Sequence, residues 1–177
     1  IKLFDIVNCF TLNNYTINYT NKIEVKLDNN LENEFIFINN ENHTIGNLIN
    51  SYLTNISRNS KLIELCGYKM PHPLEQIIWF NIVLNDKYTN LQYLKLYKNY
   101  LKLKQEPPDD FDVISNFKML IFINCICKII KDLKNLLREY KKETIYTKNN
   151  EKLDIYNFNN PDNDVLLNYP SFNNNDD

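Results

Sequence analysis

The chain has 177 residues, long enough for one domain with a real core plus tails or an insertion, and too short for two full domains. It holds 32 Asn, two Arg and no Ala, a bias that looks like codon pressure from an AT-rich genome, so a single Asn or Lys carries little meaning. The formal net charge of −2 argues against an electrostatic clamp on phosphate backbone, because non-specific nucleic-acid affinity needs many Lys and Arg contacts; a local basic face stays open.

Residues 1–21 are mixed and give no element. "NKIEVKL" (21–27) alternates Ile23, Val25 and Leu27 with Glu24 and Lys26, the period of a half-buried strand. "DNNLENE" reads as a turn, and "FIFI" (35–38) as a second strand. A helix comes next, with Thr44 as its expected N-cap and Ile45, Leu48, Ile49, Tyr52, Leu53 and Ile56 along one apolar face; "SRNSK" closes it.

Two further strands are expected at 62–68 and 77–84. Their near-continuous apolar character implies cover on both faces, or helices on one and a partner partly on the other. Between them stands "GYKMPHPLE" (67–75), where Pro71 and Pro73 fix φ and keep Met70 and His72 out of the helical region. The connection is therefore a stiff, extended segment.

Residues 86–105 are rich in Lys and Tyr. Leu91, Leu94, Tyr97 and Leu101 fit a weakly amphipathic helix, and a solvated insertion fits equally. "EPPDD" is a break, with Asp109 or Asp110 placed to cap the next element. That element is a long helix over 111–142, with Met119, Phe122, Ile126, Ile129, Leu133, Leu136 and Tyr140 at three- and four-residue steps. At 1.5 Å per residue it runs about 45 Å, more than a small domain is wide. Part of its stripe must meet something other than its own sheet, or stay exposed. Residues 143–177 fall to Asn, Asp and scattered apolars and read as a disordered tail. The missing initiator Met is read as truncation or trimming.

Little in the chain suits catalysis. His43 and His72 are the only histidines; each is expected to hydrogen-bond locally, and Glu75 is a poor orienting partner for His72. The cysteines Cys9, Cys66, Cys125 and Cys127 lack framework or zinc spacing and read as reduced thiols of a cytosolic or nuclear protein. Gly46 and Gly67 alone cannot build a phosphate loop. No signal peptide is visible, and the longest apolar run, 119–130, is short of the roughly 20 residues of a membrane span. No metal, cofactor or catalytic residue is expected. The rivals are an enzyme using His72 and a cysteine, and a nucleic-acid module using 87–104.

Two strings carry a resemblance. "ENHTIGNLI" (41–49) and, after it, "CGYKMPHPLE" (66–75) together resemble the small α-like subunits of eukaryotic and archaeal RNA polymerases. There an acidic-His-Thr-Leu-Gly-Asn string opens the first helix and Gly-Tyr-x-x-Pro-His-Pro comes after the next strand. The resemblance covers roughly 21–142, apart from an enlarged connection at 86–110. Asn42 departs from the family's usual Asp, Ile45 from its Leu. "GYKMPHPLE" and its lead-in look most like the eleventh subunit of RNA polymerase II, the reading favoured here, whereas "CGY" is more like the subunit shared by polymerases I and III.

The resemblance implies an α+β fold over 1–142, a small antiparallel sheet packed by two helices with the long helix at its C-terminus. It also implies a non-catalytic, nuclear assembly subunit. Such a subunit forms an obligate heterodimer with a larger α-like subunit and contacts the second-largest subunit; it meets DNA only through the complex and no membrane. The residues expected to carry the family motif and the partner surface are His43, Thr44, Ile45, Gly46, Asn47, Leu48, Ile49, Tyr52 and Leu53 of the first string and helix. Gly67, Tyr68, Pro71, His72, Pro73 and Glu75 come from the second, and Phe122, Ile126, Ile129, Leu133 and Leu136 from the long helix. Sequence does not divide core from partner contact among them.

Overall fold

The computed structural model describes residues 2–143 except 14, 21, 29–32 and 73. Among the described residues the elements are α1 (Lys2–Val7), β1 (Phe10–Asn13), β2 (Thr16–Tyr19), β3 (Ile23–Asp28), β4 (Asn33–Asn39), α2 (His43–Ser60), β5 (Ile63–Lys69), β6 (Ile77–Leu84), α3 (Asn90–Leu101) and α4 (Val113–Glu143). β1 and β2 form a separate hairpin, and β3 to β6 make one antiparallel sheet in the order β3-β4-β6-β5. This is the α+β architecture expected, with the long helix last.

Period-two alternation sets the sheet. The register aligns Ile23 with Ile38 and Ile78, and Val25 with Ile36 and Phe80. All except the half-buried Val25 are buried, so a one-residue slip would turn the apolar set outward. α2 and α4 pack on this face. The continuous apolar run of β6 nevertheless does not mean cover on both faces. Buried residues alternate with half-buried ones along it, and the outer row carries Phe35, Phe37 and Trp79 instead.

Helix starts differ from expectation by a few residues, for local reasons. Asn42, not Thr44, caps α2: its backbone is extended and its Oδ1 accepts from the amides of Thr44 and Ile45 at 3.1 and 3.4 Å. At α4 the Phe111 amide first turns back onto the Pro108 carbonyl. The cap is therefore Asp112, whose Oδ1 accepts from Ser115 N at 3.0 Å, and not Asp109 or Asp110.

The connection after β6 is a packed helix, not a solvated insertion. Thr89 and Gln92 form a reciprocal capping box at the start of α3. Its buried residues are Tyr93 and Tyr97, while Leu91 faces solvent. The tyrosines go inward because their hydroxyls find acceptors there: Tyr93 donates to the Asn85 carbonyl at 2.8 Å and Tyr97 to the Tyr15 carbonyl at 2.6 Å. The N-terminal stretch that sequence left unassigned is α1 and the hairpin, tied to α4 where Ile17 N donates to Asn116 Oδ1 at 2.9 Å. The expected tail lies, from 144 on, outside the described residues.

Candidate partner interface

The two strings meet at one tyrosine. Glu41 leads the first string and is 1% exposed. Its amide donates to the Gln76 carbonyl at 3.0 Å, its Oε1 accepts from Lys22 Nζ at 2.7 Å, and Lys2 Nζ stands 3.6 Å from Oε2. The carboxylate ties α1 and the lead into β3 to the start of α2, and the backbone amide ties in the entry of β6. One turn into α2, Gly46 faces Tyr68 of β5. A Cβ there would stand 2.4 Å from the ring, so only glycine lets the helix lie this close. The Tyr68 hydroxyl lies 3.3 Å from His43 Nδ1, and its ring stacks on Phe80, which meets Phe122 of α4.

The second string after Tyr68 is a projecting turn. The Leu74 amide donates to His72 Nδ1 at 3.2 Å, and the Glu75 amide to the His72 carbonyl at 3.1 Å. Pro71, His72, Leu74 and Glu75 are exposed, Leu74 almost wholly; Pro73 lies outside the described residues. His72 is thus engaged in shaping the loop, and among the described residues no carboxylate orients its ring.

The helix residues divide. Gly46, Ile49 and Leu53 of α2 and Phe122, Ile126 and Ile129 of α4 are covered by this chain's own elements. Ile45, Leu48 and Tyr52 are only partly covered, and Thr44 and Asn47 are exposed. Tyr52 links the helices, its hydroxyl donating to Asp132 Oδ2 at 3.0 Å; burial, then that contact, pushes the phenol up from its ordinary value. Immediately beyond Asp132 the burial ends. Leu133, Leu136, Leu137 and Tyr140 are 43–65% exposed and stand at i, i+3, i+4 and i+7, one stripe continuing the buried one. Leu137 had not been singled out by sequence, although it fits the same period.

By length and composition α4 would suit a bilayer, with mean hydropathy 1.8 in its best 18-residue window, but 56% of that window is buried in this fold. Its apolarity is mostly core. Burial pushes the Cys125, Cys127 and Cys66 thiols above the ordinary range, which keeps these three in the less reactive protonated form at neutral pH. Among the described residues no group of three or more His, Cys, Asp or Glu converges as a metal site would.

A family model described as the RNA polymerase Rpb3/Rpb11 dimerisation domain matches residues 35–102. Over 54 residues the chain is 41% identical to the protein named "Probable DNA-directed RNA polymerases I and III subunit RPAC2" in Caenorhabditis elegans, and equally to its namesake in Caenorhabditis briggsae. These matches take in 30% of this chain and 35% and 34% of the two proteins, so the chain spans about a third of the length of these curated relatives.

Proposed function

We propose that this chain, which carries the dimerisation domain of the small α-like RNA polymerase subunits, is a non-catalytic assembly subunit of a nuclear DNA-directed RNA polymerase, pairing through α2 and α4 with a larger α-like subunit. The observation that carries the reading is the α4 stripe, which runs unbroken out of the core and leaves Leu133, Leu136 and Leu137 exposed, together with the half-covered Ile45, Leu48 and Tyr52 of α2. A helical partner laid along both helices would cover these residues and complete a core cut in half, the usual form of an obligate interface. Contact with the second-largest subunit belongs to the same proposal.

Between polymerase types, the subunit shared by polymerases I and III is the better supported. Both relatives bear that name, and Cys66-Gly67-Tyr68 points the same way. This replaces polymerase II as the first reading, which rests on "GYKMPHPLE" and its lead-in alone.

The test is Leu133→Asp combined with Leu136→Asp in the full chain, tagged in its native cells and purified gently. Both positions are exposed, so secondary structure and melting temperature stay at parental values while recovery of the larger α-like subunit falls at least tenfold. Undiminished recovery sinks the helix assignment. The polymerase I and III catalytic subunits in the parental preparation support the preferred type; those of polymerase II reverse it.

A further inference from the structure

Gly67 is one of two glycines in the chain, and the fold accounts only for the other. Gly46 makes room for Tyr68. Gly67 stands in mid-strand, its φ is not positive, and a Cβ built there would meet nothing within 4 Å. Neither backbone conformation nor internal packing asks for glycine, while glycine inside a strand costs stability through chain entropy and lost packing. What a bare strand position does provide is close approach from outside.

Its surroundings are specific. The register sets Gly67 beside Asn81 and Asn81 beside Phe35, on the sheet face turned away from α2 and α4; the next row is Lys69, Trp79 and Phe37. Leu65, 60% exposed, flanks the position along β5. Asn81 Oδ1 is covered and, among the described residues, has no hydrogen-bond partner. Lys69 lies over the Trp79 ring at 4.5 Å and Lys26 over Phe37 at 5.0 Å. Glu24, a carboxylate on this face, is already engaged by Lys26 and Asn39.

We propose that this is a docking notch for an extended segment of a protein partner, laid across β5 and β6 with a bulky apolar side chain seated over Gly67 and a carboxylate against Lys69. Leu65 and Trp79 flank the notch, and tryptophan is among the side chains that most often anchor interfaces. A protein suits the face better than a nucleic acid. Lysines sit over the Phe37 and Trp79 rings where bases would have to stack, and the chain's net charge is −2. The notch lies on the opposite side of the sheet from the pairing helices, so both occupants fit at once and the inference stands apart from the pairing proposal.

The experiment places a thiol in the notch by Gly67→Cys in the full chain, expressed in its native cells. Maleimide labelling is compared between the native complex and the purified chain, with the parental chain as background. The introduced thiol is expected to label at least tenfold more slowly in the complex. Gly67→Leu, whose Cβ meets nothing within 4 Å, is expected to lower recovery of one co-purifying protein at least tenfold while the larger α-like subunit stays at parental stoichiometry. Equal labelling in complex and purified chain overturns the notch, as does full labelling of a chain recovered alone, or a Gly67→Leu complex of unchanged composition. Protection that nuclease abolishes overturns the protein occupant. Protection without any larger α-like subunit in the parental preparation supports the notch and counts against the pairing proposal alone.

Discussion

Replacing Gly46 by alanine isolates the contact that joins the two strings. The added methyl would stand 2.4, 2.7 and 3.1 Å from Cε2, Cδ2 and Cζ of Tyr68, far inside the roughly 3.5–4.0 Å optimum for carbon pairs. The ring has little room to yield, since it stacks on Phe80 at 5.8 Å and its hydroxyl lies beside His43. Overpacking of this kind costs about 1–3 kcal/mol. Against it, alanine in a helix interior is better than glycine by about 1 kcal/mol. The clash is the larger quantity, so Gly46→Ala should destabilise by about 1 kcal/mol. In a Tyr68→Ala background the obstacle is gone, and the same substitution should stabilise by about 0.5–1 kcal/mol. The double-mutant cycle therefore carries a coupling of about 1–3 kcal/mol. Urea unfolding monitored by fluorescence of Trp79, the single tryptophan, measures all four variants. If Gly46→Ala stabilises equally in both backgrounds, the helix does not approach the strand as described.

Glu41→Gln removes the charge that Lys22 and Lys2 face and should cost about 1.5–3 kcal/mol, the range for hydrogen bonds to charged groups; because the carboxylate side chain is fully covered, the cost should survive 1 M NaCl, and a cost that vanishes in salt refutes the burial. Alkaline pH should destabilise the fold. Burial holds the thiols of Cys66, Cys125 and Cys127 and the phenols of Tyr93, Tyr97 and Tyr100 in their neutral forms, Tyr100 to about 12. Their stabilisation is whole below the unfolded values, near 9 for thiols and 10 for phenols, and is lost as pH rises above these toward the folded values; a urea midpoint flat from pH 8 to 11 contradicts it. Tyr97→Phe deletes the donor to the Tyr15 carbonyl and should cost about 1 kcal/mol in a thermal melt, whereas no change would mean that α3 does not hold the hairpin.

Sequence was most informative where one period ran between clear breaks. β6 (Ile77–Leu84) was read with its observed bounds, and α2 was legible because its apolar positions repeat on one face. What it missed depends on distant partners. The hairpin at the N-terminus has strands of four residues with mostly exposed side chains, and its anchor, Asn116, lies 99 positions from Ile17; no local pattern announces such a pair. In α3 the face read from sequence, Leu91, Leu94, Tyr97 and Leu101, holds the buried Tyr97, but Leu91 is exposed and Tyr93 is buried instead, because carbonyls from β6's end and the hairpin were waiting for the two hydroxyls. Glu41 looked like the acidic lead of a helix string, and its burial makes sense only once Lys2 and Lys22 are brought beside it.

The long helix shows why a period alone does not assign a surface. Met119, Phe122, Ile126 and Ile129 are buried, yet Leu133, Leu136 and Tyr140, in the same stripe, are exposed. The difference is where the rest of the chain ends against α4. Asn116 holds the hairpin, Asn124 meets the Tyr100 hydroxyl, and Asp132 takes the hydrogen bond from Tyr52. Three polar groups on an apolar helix thus mark three elements packed along it. Past Asp132 the stripe is exposed while the apolar spacing continues, and burying Leu133, Leu136 and Leu137 at about 25 cal/mol per Å² of apolar area would supply several kcal/mol to whatever covers them. Ile126→Asp would consequently unfold the domain, whereas Leu133→Asp and Leu136→Asp leave it folded, and only the latter pair separates the role of the stripe in pairing from its role in the core.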